Sequence, residues 1–315
     1  MTGAGIEPAS ADASFRRYFR VRHAGVSRIV MDAPPDKEDL GPFLRVADML
    51  LAVGVNAPRV LAQDVPRGLL LLSDLGAELY LTALHAAVGR DAARIETLYR
   101  EAMESLALIQ QHARVPAQRL PAYDRAMLVR EMQLMPEWFL GRHLHMAQDA
   151  QPQHLLDGLF DALVENAAQQ PVSFVHKDYH SRNLMVCEPG RPGILDFQDA
   201  VLGPITYDLV SLLKDCYISW PADQVRDWAL GHRQRLARAG LDASRDDAQF
   251  LCWFDLMGLQ RHIKVLGIFA RLWYRDGKAG YLKDLPLVLR YTLETARAYP
   301  QTSKFAEFLE REVLP

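Results

Sequence analysis

Histidine, aspartate and asparagine are concentrated between residues 175 and 184, where the sequence reads VHKDYHSRNL. His176, Asp178 and Asn183 follow the spacing HxDxxxxN, with apolar residues on either side. A second carboxylate, Asp196, comes thirteen residues after Asn183 in the triplet Leu-Asp-Phe. One carboxylate can orient a hydroxyl nucleophile, while an asparagine and another carboxylate supply the hard oxygen ligands that suit Mg²⁺ and not zinc. This pair of loops therefore has the chemistry that phosphoryl transfer requires.

Short apolar runs predict strands beside these loops, at 173–175, 184–186 and 194–197. They interrupt a region of helical pattern, in which we expect helices over 92–112, 123–140, 154–169 and 207–218. Loops that carry His, Asp and Asn between short strands are a typical place for catalytic groups. These short strands are therefore expected to position the candidate residues.

The first seventy or so residues have a different pattern. Interleaved apolar and charged residues predict strands over 14–21, 28–31, 60–62 and 69–72, and one amphipathic helix over 40–54. We therefore expect two lobes in an α+β protein. Residues 1–74 form a strand-rich lobe with one helix, and residues 75–315 form a mostly helical lobe that carries the two loops.

The composition excludes several classes of function. The 315 residues are 50% hydrophobic and 24% charged, which is typical of a globular protein with a real core. With 36 Lys and Arg against 39 Asp and Glu, the net charge is −3. The sequence therefore lacks the excess of positive charge that is typical of proteins that bind nucleic acid or an anionic membrane. The three cysteines lack CxxC spacing and predict neither disulfides nor a zinc site. The cysteines favour a reducing cytoplasm, and no apolar run could span a bilayer. We therefore expect a cytoplasmic enzyme, and no obligate protein partner is evident from the sequence.

The motif residues resemble those of the aminoglycoside phosphotransferase and small-molecule kinase family, which has a protein-kinase-like fold. The resemblance extends over nearly the whole chain. It implies a small antiparallel sheet and a helix in the N-lobe, a mostly helical C-lobe, and ATP and Mg²⁺ as cofactors. It also implies that Asp178 is the catalytic base and that Asn183 and Asp196 are the two magnesium ligands.

Three further residues take roles from the same resemblance. His176 matches the histidine that buttresses the catalytic loop, and His180 falls where relatives place a His or Lys near the γ-phosphate. Asp208 matches an aspartate that braces the loop from the start of a helix, which is a structural role. Ordinary alternatives stay open for two of them, because a histidine beside a strand is often a core residue and an aspartate near a helix start is often an N-cap.

A loop between the first two strands covers the nucleotide phosphates in the family. Residues 10–17 occupy that place here, without the glycines of the protein-kinase loop. Backbone N–H groups of small and hydroxyl-bearing residues can still bind phosphate oxygens. The residues that we assign to this phosphate loop are Ser10, Asp12 and Ser14.

The remainder of the nucleotide site departs from the family at one position. Met31 stands in the third strand where most relatives carry a lysine for the phosphates. Arg16 or Arg17 could replace that cation, because a guanidinium also binds phosphate, although a solvated strand face is the alternative for at least one of them. The hinge at 72–75, with Leu72 and Asp74, is expected to present backbone groups to adenine.

Residues 9–21 and 31–35 resemble one subgroup of the family, the kinases that phosphorylate the anomeric hydroxyl of N-acetylmuramate and N-acetylglucosamine. This resemblance implies transfer from ATP to the C1 hydroxyl, giving a sugar α-1-phosphate used in peptidoglycan recycling. A basic and aromatic segment at 260–283 is compatible with a sugar that carries a carboxylate, although a solvated helix face explains it as well. Its members are Arg261, Lys264, Arg271, Trp273, Tyr274, Arg275, Lys278, Tyr281 and Lys283.

Two other functions stay open. Another small-molecule kinase of the same fold would act on an aminoglycoside, choline or homoserine, and the lack of acid-rich loops disfavours a polycationic substrate. A nucleotide-binding pseudokinase is favoured by Met31 and the glycine-poor loop, and disfavoured by the intact catalytic motif. A protein kinase is disfavoured because no Ala-Pro-Glu closes an activation segment after Asp196.

Overall fold

The structure is a computed structural model that describes residues 5–11, 15–112, 119–147, 152–187, 190–241, 243–244 and 246–314. The chain divides into two compact units. Unit 1 comprises Met1–Arg119 and His176–Ala200, and unit 2 comprises Leu120–Val175 and Val201–Pro315. Each unit is therefore built from two stretches of chain, and the predicted catalytic loops belong to the unit that contains the N-terminal strands.

A five-stranded antiparallel sheet forms the centre of unit 1. Its strands are β1 Gly5–Ala11, β2 Arg17–His23, β3 Val26–Asp32, β4 Val60–Asp64 and β5 Leu69–Ser73, in the spatial order β1-β2-β3-β5-β4. Ala24 and Gly25 join β2 to β3 with φ of 49° and 76°, the left-handed pair of a tight hairpin turn. The predicted strand-rich region is confirmed. Strand β1 was not predicted, because its sequence, GIEPASA, consists mostly of small residues without a strand pattern.

Helix α1, Leu40–Ala52, brings the N-terminal stretch of unit 1 to the catalytic stretch. It begins after Asp39, whose Oδ1 accepts a hydrogen bond from the Gly41 N–H at 2.8 Å. Its buried face includes Phe43, whose ring centroid lies 4.9 Å from that of Phe197. The helix therefore packs against the residue that directly follows Asp196, and the predicted helix over 40–54 is confirmed.

Two further helices and two short strands complete unit 1. They are α2 Tyr80–Ala87, α3 Ala92–His112, β7 Leu184–Met185 and β8 Gly193–Ile194. The prediction of a strand over 194–197 is wrong beyond Ile194, because Asp196 has a φ of 61°. An extended strand cannot contain a left-handed residue, so the chain turns where the motif residue lies.

Unit 2 is mainly helical. Its helices are α4 Arg125–Met132, a π-helix Met135–His143, α5 Gln153–Ala168, α6 Tyr207–Leu213, α7 Ala222–Arg238, α8 Asp247–Tyr274, α9 Leu285–Ala298 and α10 Ser303–Glu312. A single helix over 123–140 is a wrong prediction. Pro136 lacks an N–H and its ring clashes with the carbonyl one turn earlier, so the α-helix ends at Met132.

Two strands and one long helix organise unit 2. Strands β6 Val172–Val175 and β9 Val201–Pro204 pair antiparallel, with Val175 opposite Val201. Along α8, a Cβ at Gly267 would lie 2.2 Å from the carbonyl carbon of Leu134, so only glycine allows this close approach. The small antiparallel sheet and the helical remainder confirm the predicted α+β, kinase-like fold class. Within the described residues, the helices are too short or too polar to cross a bilayer.

Candidate active site

His176 ties the two catalytic loops of unit 1 together. The Asp178 backbone N–H donates to its Nδ1 at 3.2 Å, so the ring proton is on Nε2, which donates to the Leu195 carbonyl at 3.0 Å. Burial lowers the pKa of His176 to about 4. A neutral, buried histidine that bridges residues 178 and 195 fits the bracing role given by the resemblance and is unsuited to proton transfer.

The structure brings Asp178, Asn183 and Asp196 together. The Asn183 side-chain amide Nδ2 donates to the Asp178 carbonyl at 3.1 Å and to Asp196 Oδ2 at 3.4 Å. The Leu195 backbone N–H donates to the Asn183 carbonyl at 2.9 Å. Asn183 therefore links both loops through its side chain and its backbone.

Positive φ angles mark both loops. Lys177 and Asp196 have φ of 77° and 61°, which is uncommon for residues with a side chain. Such backbone costs about 1–3 kcal/mol per residue and persists only where the surroundings hold it in place. Here Phe197 is fully buried against Phe43, and Tyr179 is fully buried with its hydroxyl donating to the Ala102 carbonyl at 2.9 Å.

The oxygens of Asn183 and Asp196 fit a magnesium ion. Because Nδ2 of Asn183 faces Asp178 and Asp196, its Oδ1 is the atom left to act as a ligand. Asp196 adds carboxylate oxygens, and Mg²⁺ prefers one or two such protein ligands alongside nucleotide phosphates. Within the described part of the chain, His, Cys, Asp and Glu form no cluster of three that could hold a metal by itself.

His180 is buried inside the catalytic loop. Its backbone N–H donates to the Asp178 carbonyl at 3.0 Å, and its carbonyl accepts from the Asn183 N–H at 2.9 Å. His180, predicted to lie near the γ-phosphate, is therefore part of the turn between Asp178 and Asn183. Its predicted contact with the phosphate stays a prediction.

The predicted phosphate cations are engaged with carboxylates. Arg16 Nε lies 3.2 Å from Glu38 Oε2, and Arg17 forms an ion pair with Asp32 across the β2–β3 ladder. Ser10 lies near the end of β1, opposite Tyr18. Its side chain and residues Asp12 and Ser14 lie outside the described residues.

The two hinge residues have different surroundings. Leu72 is buried in β5, so only its backbone is available to a nucleotide. Asp74 accepts hydrogen bonds from Arg20 Nε at 2.7 Å and from the Ser27 hydroxyl. Burial by itself would raise the pKa of Asp74, but the hydrogen bonds from Arg20, Ser27 and the Gly76 N–H lower it to about 2. The Asp74 carboxylate is thus part of a clamp that holds the turn after β5.

Sequence reasoning missed Arg20 and Gln198. Arg20 also donates to the Gly76 carbonyl at 2.6 Å, so one guanidinium holds two residues of the hinge turn. Gln198 Nε2 donates to Asp196 Oδ1 at 2.8 Å. The position of Gln198, two residues after Asp196, the predicted metal ligand, was the available signal, whereas the Arg20–Asp74 pair has no signal in linear sequence.

The basic and aromatic segment at 260–283, considered above for sugar binding, has residues in two different environments. Lys264 is buried, with Nζ 3.2 Å from Glu131 Oε2 and 3.1 Å from the Tyr207 hydroxyl. Arg261 is also buried and donates to Cys216 Sγ at 3.3 Å. Trp273 and Tyr274 are exposed at the end of α8. The solvated-face alternative is therefore wrong for the two buried cations, which belong to the core.

Asp208 lies in the first turn of α6 and is buried. The predicted N-cap alternative does not describe it, because Thr206 occupies the N-cap position. A negative charge in the first turn interacts favourably with the helix dipole.

Comparison with known sequences gives consistent matches over most of the chain. A profile described as the phosphotransferase enzyme family matches residues 5–246. The chain is 46% identical over 303 residues to the N-acetylmuramate/N-acetylglucosamine kinase of Pseudomonas aeruginosa, covering 96% of this chain and 87% of that relative. It is 31% identical over 345 residues to the kinase of the same name from Caulobacter vibrioides, covering 98% and 92%. The family resemblance predicted from the motif is confirmed.

Solved structures with low sequence identity have the same fold. A GDP complex of an aminoglycoside phosphotransferase mutant matches with a TM-score of 0.63 and 14% identity, covering 93% of each chain. An ADP-bound aminoglycoside phosphotransferase matches with a TM-score of 0.57 and 13% identity, covering 92% of this chain and 94% of that one. Plasmodium vivax ethanolamine kinase matches with a TM-score of 0.62 and 10% identity, covering 96% and 83%.

Proposed function

The chain belongs to the phosphotransferase enzyme family, and on that premise we propose that it transfers the γ-phosphoryl group of ATP to an amino sugar. The acceptors are N-acetylmuramate and N-acetylglucosamine, the sugars that name its relatives. The position phosphorylated is the anomeric C1 hydroxyl, giving the α-1-phosphate that serves peptidoglycan recycling. The observation that carries the proposal is the convergence of Asp178, Asn183 and Asp196 in unit 1.

Asp178 acts on the attacking hydroxyl. Its carboxylate accepts the hydrogen bond of the C1 hydroxyl and orients the oxygen in line with the γ-phosphate. His176 accepts a hydrogen bond from the Asp178 backbone N–H at 3.2 Å, which fixes the loop before substrate binds. Positioning of this kind supplies a large part of the rate in phosphoryl transfer.

Asn183 and Asp196 would hold the magnesium ion of the nucleotide. The bound ion would supply positive charge against the negative charge that develops on the phosphate oxygens. The link from Asn183 Nδ2 to Asp196 Oδ2 keeps the two ligands at a fixed separation. Residues 1–74 bind the nucleotide, with the phosphate loop over Ser10, Asp12 and Ser14 and the hinge at Leu72 and Asp74. Residues 75–315 carry the catalytic loops and the sugar site.

The cytoplasm is the proposed location. Cys187, Cys216 and Cys252 are reduced cysteines, and thiols persist in a reducing compartment. ATP is also a cytoplasmic substrate, and the proposal requires no protein partner. Fractionation of cells that produce the tagged full-length chain tests the location.

The experiment that tests the function is ³¹P NMR of the purified full-length protein with Mg-ATP and each sugar in parallel. We expect a new phosphate signal coupled to the anomeric proton, together with ADP. A sugar 6-phosphate as the product would support sugar kinase activity and refute the assignment of the C1 hydroxyl as the acceptor. Binding of Mg-ATP without any phosphorylated sugar would refute the proposed acceptors and favour the pseudokinase or another small-molecule kinase.

Variants of the same protein locate the site. Asp178→Asn should slow product formation by at least about 10²-fold, whereas the matched control Asp157→Asn alters an exposed carboxylate of α5 and should leave the rate unchanged. Equal product from both variants would contradict the role of Asp178.

A further inference from the structure

Each carboxylate oxygen of Asp196 receives a hydrogen bond from a different side-chain amide. Asn183 Nδ2 lies 3.4 Å from Oδ2, and Gln198 Nε2 lies 2.8 Å from Oδ1. The shorter contact is the one from Gln198, a residue to which neither the motif nor the family pattern assigned a role. Because one amide binds each oxygen, the two hydrogen bonds together restrict rotation of the Asp196 carboxylate.

Gln198 is itself held in place by a second acid. Its Nε2 also lies 3.3 Å from Asp199 Oδ2. A primary amide has two N–H donors, and here one is used on Asp196 and the other on Asp199. The exposed Asp199 carboxylate therefore keeps the amide nitrogen turned toward Asp196.

The charge of the donor matters for a metal ligand. A lysine or arginine at this position would neutralise Asp196 and compete with a cation for it. An uncharged amide orients the carboxylate and leaves its negative charge for the ion. Partners of this kind around ligating carboxylates typically change metal affinity by about 10- to 100-fold when they are removed.

Asp196 lies outside the regular part of strand β8. Its φ of 61° places the side chain in a turn rather than in a regular strand, where neighbouring side chains would restrict it. Phe197 is fully buried and anchors the next residue. The contacts of the Asp196 carboxylate include the two side-chain hydrogen bonds from Asn183 and Gln198.

We propose that Gln198 is a positioning residue that orients the Asp196 carboxylate toward the divalent cation of the nucleotide, with Asp199 holding the Gln198 amide. This inference rests on the proposed function, in which Asp196 is a metal ligand. Gln198 makes no contact with substrate in this role and acts only through Asp196.

A purely structural role for Gln198 gives a different result. In that case its loss would lower the melting temperature and leave cation affinity unchanged. The test therefore measures Mn²⁺ binding to the full-length protein saturated with ADP, by electron paramagnetic resonance of the free ion. Activity is not the readout, so a slow chemical step cannot obscure the result.

Four variants make the comparison. Gln198→Leu removes the amide at similar size, and Gln198→Asn keeps an amide that is one methylene too short to reach both carboxylates. Asp196→Asn tests the proposed ligand. Gln169→Leu is the matched control, because Gln169 Nε2 also donates to a carboxylate, Glu165, at 3.1 Å on an exposed helix face.

We expect Gln198→Leu and Gln198→Asn to raise the Mn²⁺ dissociation constant about tenfold, with unchanged ADP affinity in the absence of metal. Asp199→Ala should raise it less, and Gln169→Leu should not raise it. If Gln198→Leu does not fold, Gln198→Asn carries the test with the same expected increase.

Two outcomes distinguish failure of the positioning role of Gln198 from failure of the proposed metal site. Wild-type Mn²⁺ affinity in both Gln198 variants, with affinity lost in Asp196→Asn, would refute the positioning role and keep the proposed metal site. Wild-type affinity in Asp196→Asn would refute the metal site itself.

Discussion

Replacing Asp74 with asparagine removes one charge of the clamp that holds the hinge turn, while the size of the side chain stays the same. The wild-type carboxylate accepts hydrogen bonds from Arg20, Ser27 and the Gly76 N–H. Arg20 additionally donates to the Gly76 carbonyl at 2.6 Å. The variant keeps Arg20 in place but leaves its guanidinium without the carboxylate.

The magnitude follows from the pKa of Asp74, which falls from 3.8 to about 2 in the folded protein. A pKa difference of one corresponds to ~1.4 kcal/mol, so full conversion gives about 2.5 kcal/mol of stability near neutral pH. The pair borders solvent, with 12% of the Arg20 side chain and 9% of the Asp74 side chain exposed. Screening reduces the expected loss in Asp74→Asn to about 1 kcal/mol.

The pH dependence has a defined sign. Because the folded pKa lies below the unfolded one, the stabilisation is present above about pH 4 and disappears as the pH falls through about 2. Urea unfolding of wild type and Asp74→Asn should therefore show a difference at neutral pH that has fallen to about half near pH 3.

The matched control for this prediction is Asp276→Asn. Asp276 pairs with its neighbour Arg275 on the exposed surface, so its replacement should leave unfolding unchanged. A pH-independent difference for Asp74→Asn, or equal effects in the two variants, would refute the assignment of stability to the Arg20–Asp74 charge pair.

Three further results are expected. Asp178→Asn should lower kcat by about 10²- to 10⁴-fold with little change in nucleotide affinity, as measured by steady-state kinetics and calorimetry; turnover at the wild-type rate would contradict its role as base. Lys264→Met removes the ammonium group 3.2 Å from the largely buried Glu131 carboxylate, which keeps its hydrogen bond from the Tyr123 hydroxyl. It should lower the free energy of unfolding by about 3 kcal/mol in urea titrations, with part recovered in the double variant with Glu131→Gln; no recovery would argue against the pair. Burial lowers the pKa of His262 from 6.5 to about 3, so the unfolded chain binds a proton that the folded chain does not, and stability is lost as the pH falls below about 6.5. Thermal unfolding of His262→Gln should show a shallower decline between about pH 6.5 and 4 than wild type, and parallel curves would contradict the assignment.

The proximity of Asp178, Asn183 and Asp196 was predictable because these residues are close in sequence. Asp178 and Asn183 lie in one short loop, and β7 and β8 bring Asp196 to them through a short connection. The spacing of the motif therefore carried nearly all of the geometry. The left-handed backbone at Asp196 was not visible, because a pattern of apolar residues does not report a positive φ.

The hinge clamp was not predictable because it depends on sheet order. Arg20 and Asp74 are separated by 54 residues and meet only because β3 lies between β2 and β5. Strand order is a property of the folded sheet, and the local patterns that predicted each strand carry no information about it.

The buried cations of α8 show a second limit. Charged residues in a helical segment predict a solvated face, yet Arg261 and Lys264 are buried. The reason for Lys264 lies on another helix, where Glu131 of α4 supplies the opposite charge at 3.2 Å. A paired charge can be buried where an isolated one cannot, and the pairing is absent from the periodicity of either helix.

Met31 shows why the missing lysine is more than a single substitution. The residue is fully buried in β3, with Tyr18 and Leu70 as its strand neighbours. A lysine here would place an ammonium among these residues at a cost of several kcal/mol unless a carboxylate came with it. The carboxylates Glu38 and Asp32 of the same unit already pair with Arg16 and Arg17. On the proposed function, we therefore expect the cation for the nucleotide phosphates to be an arginine that exchanges its carboxylate for a phosphate, which a guanidinium can do with the same two donors.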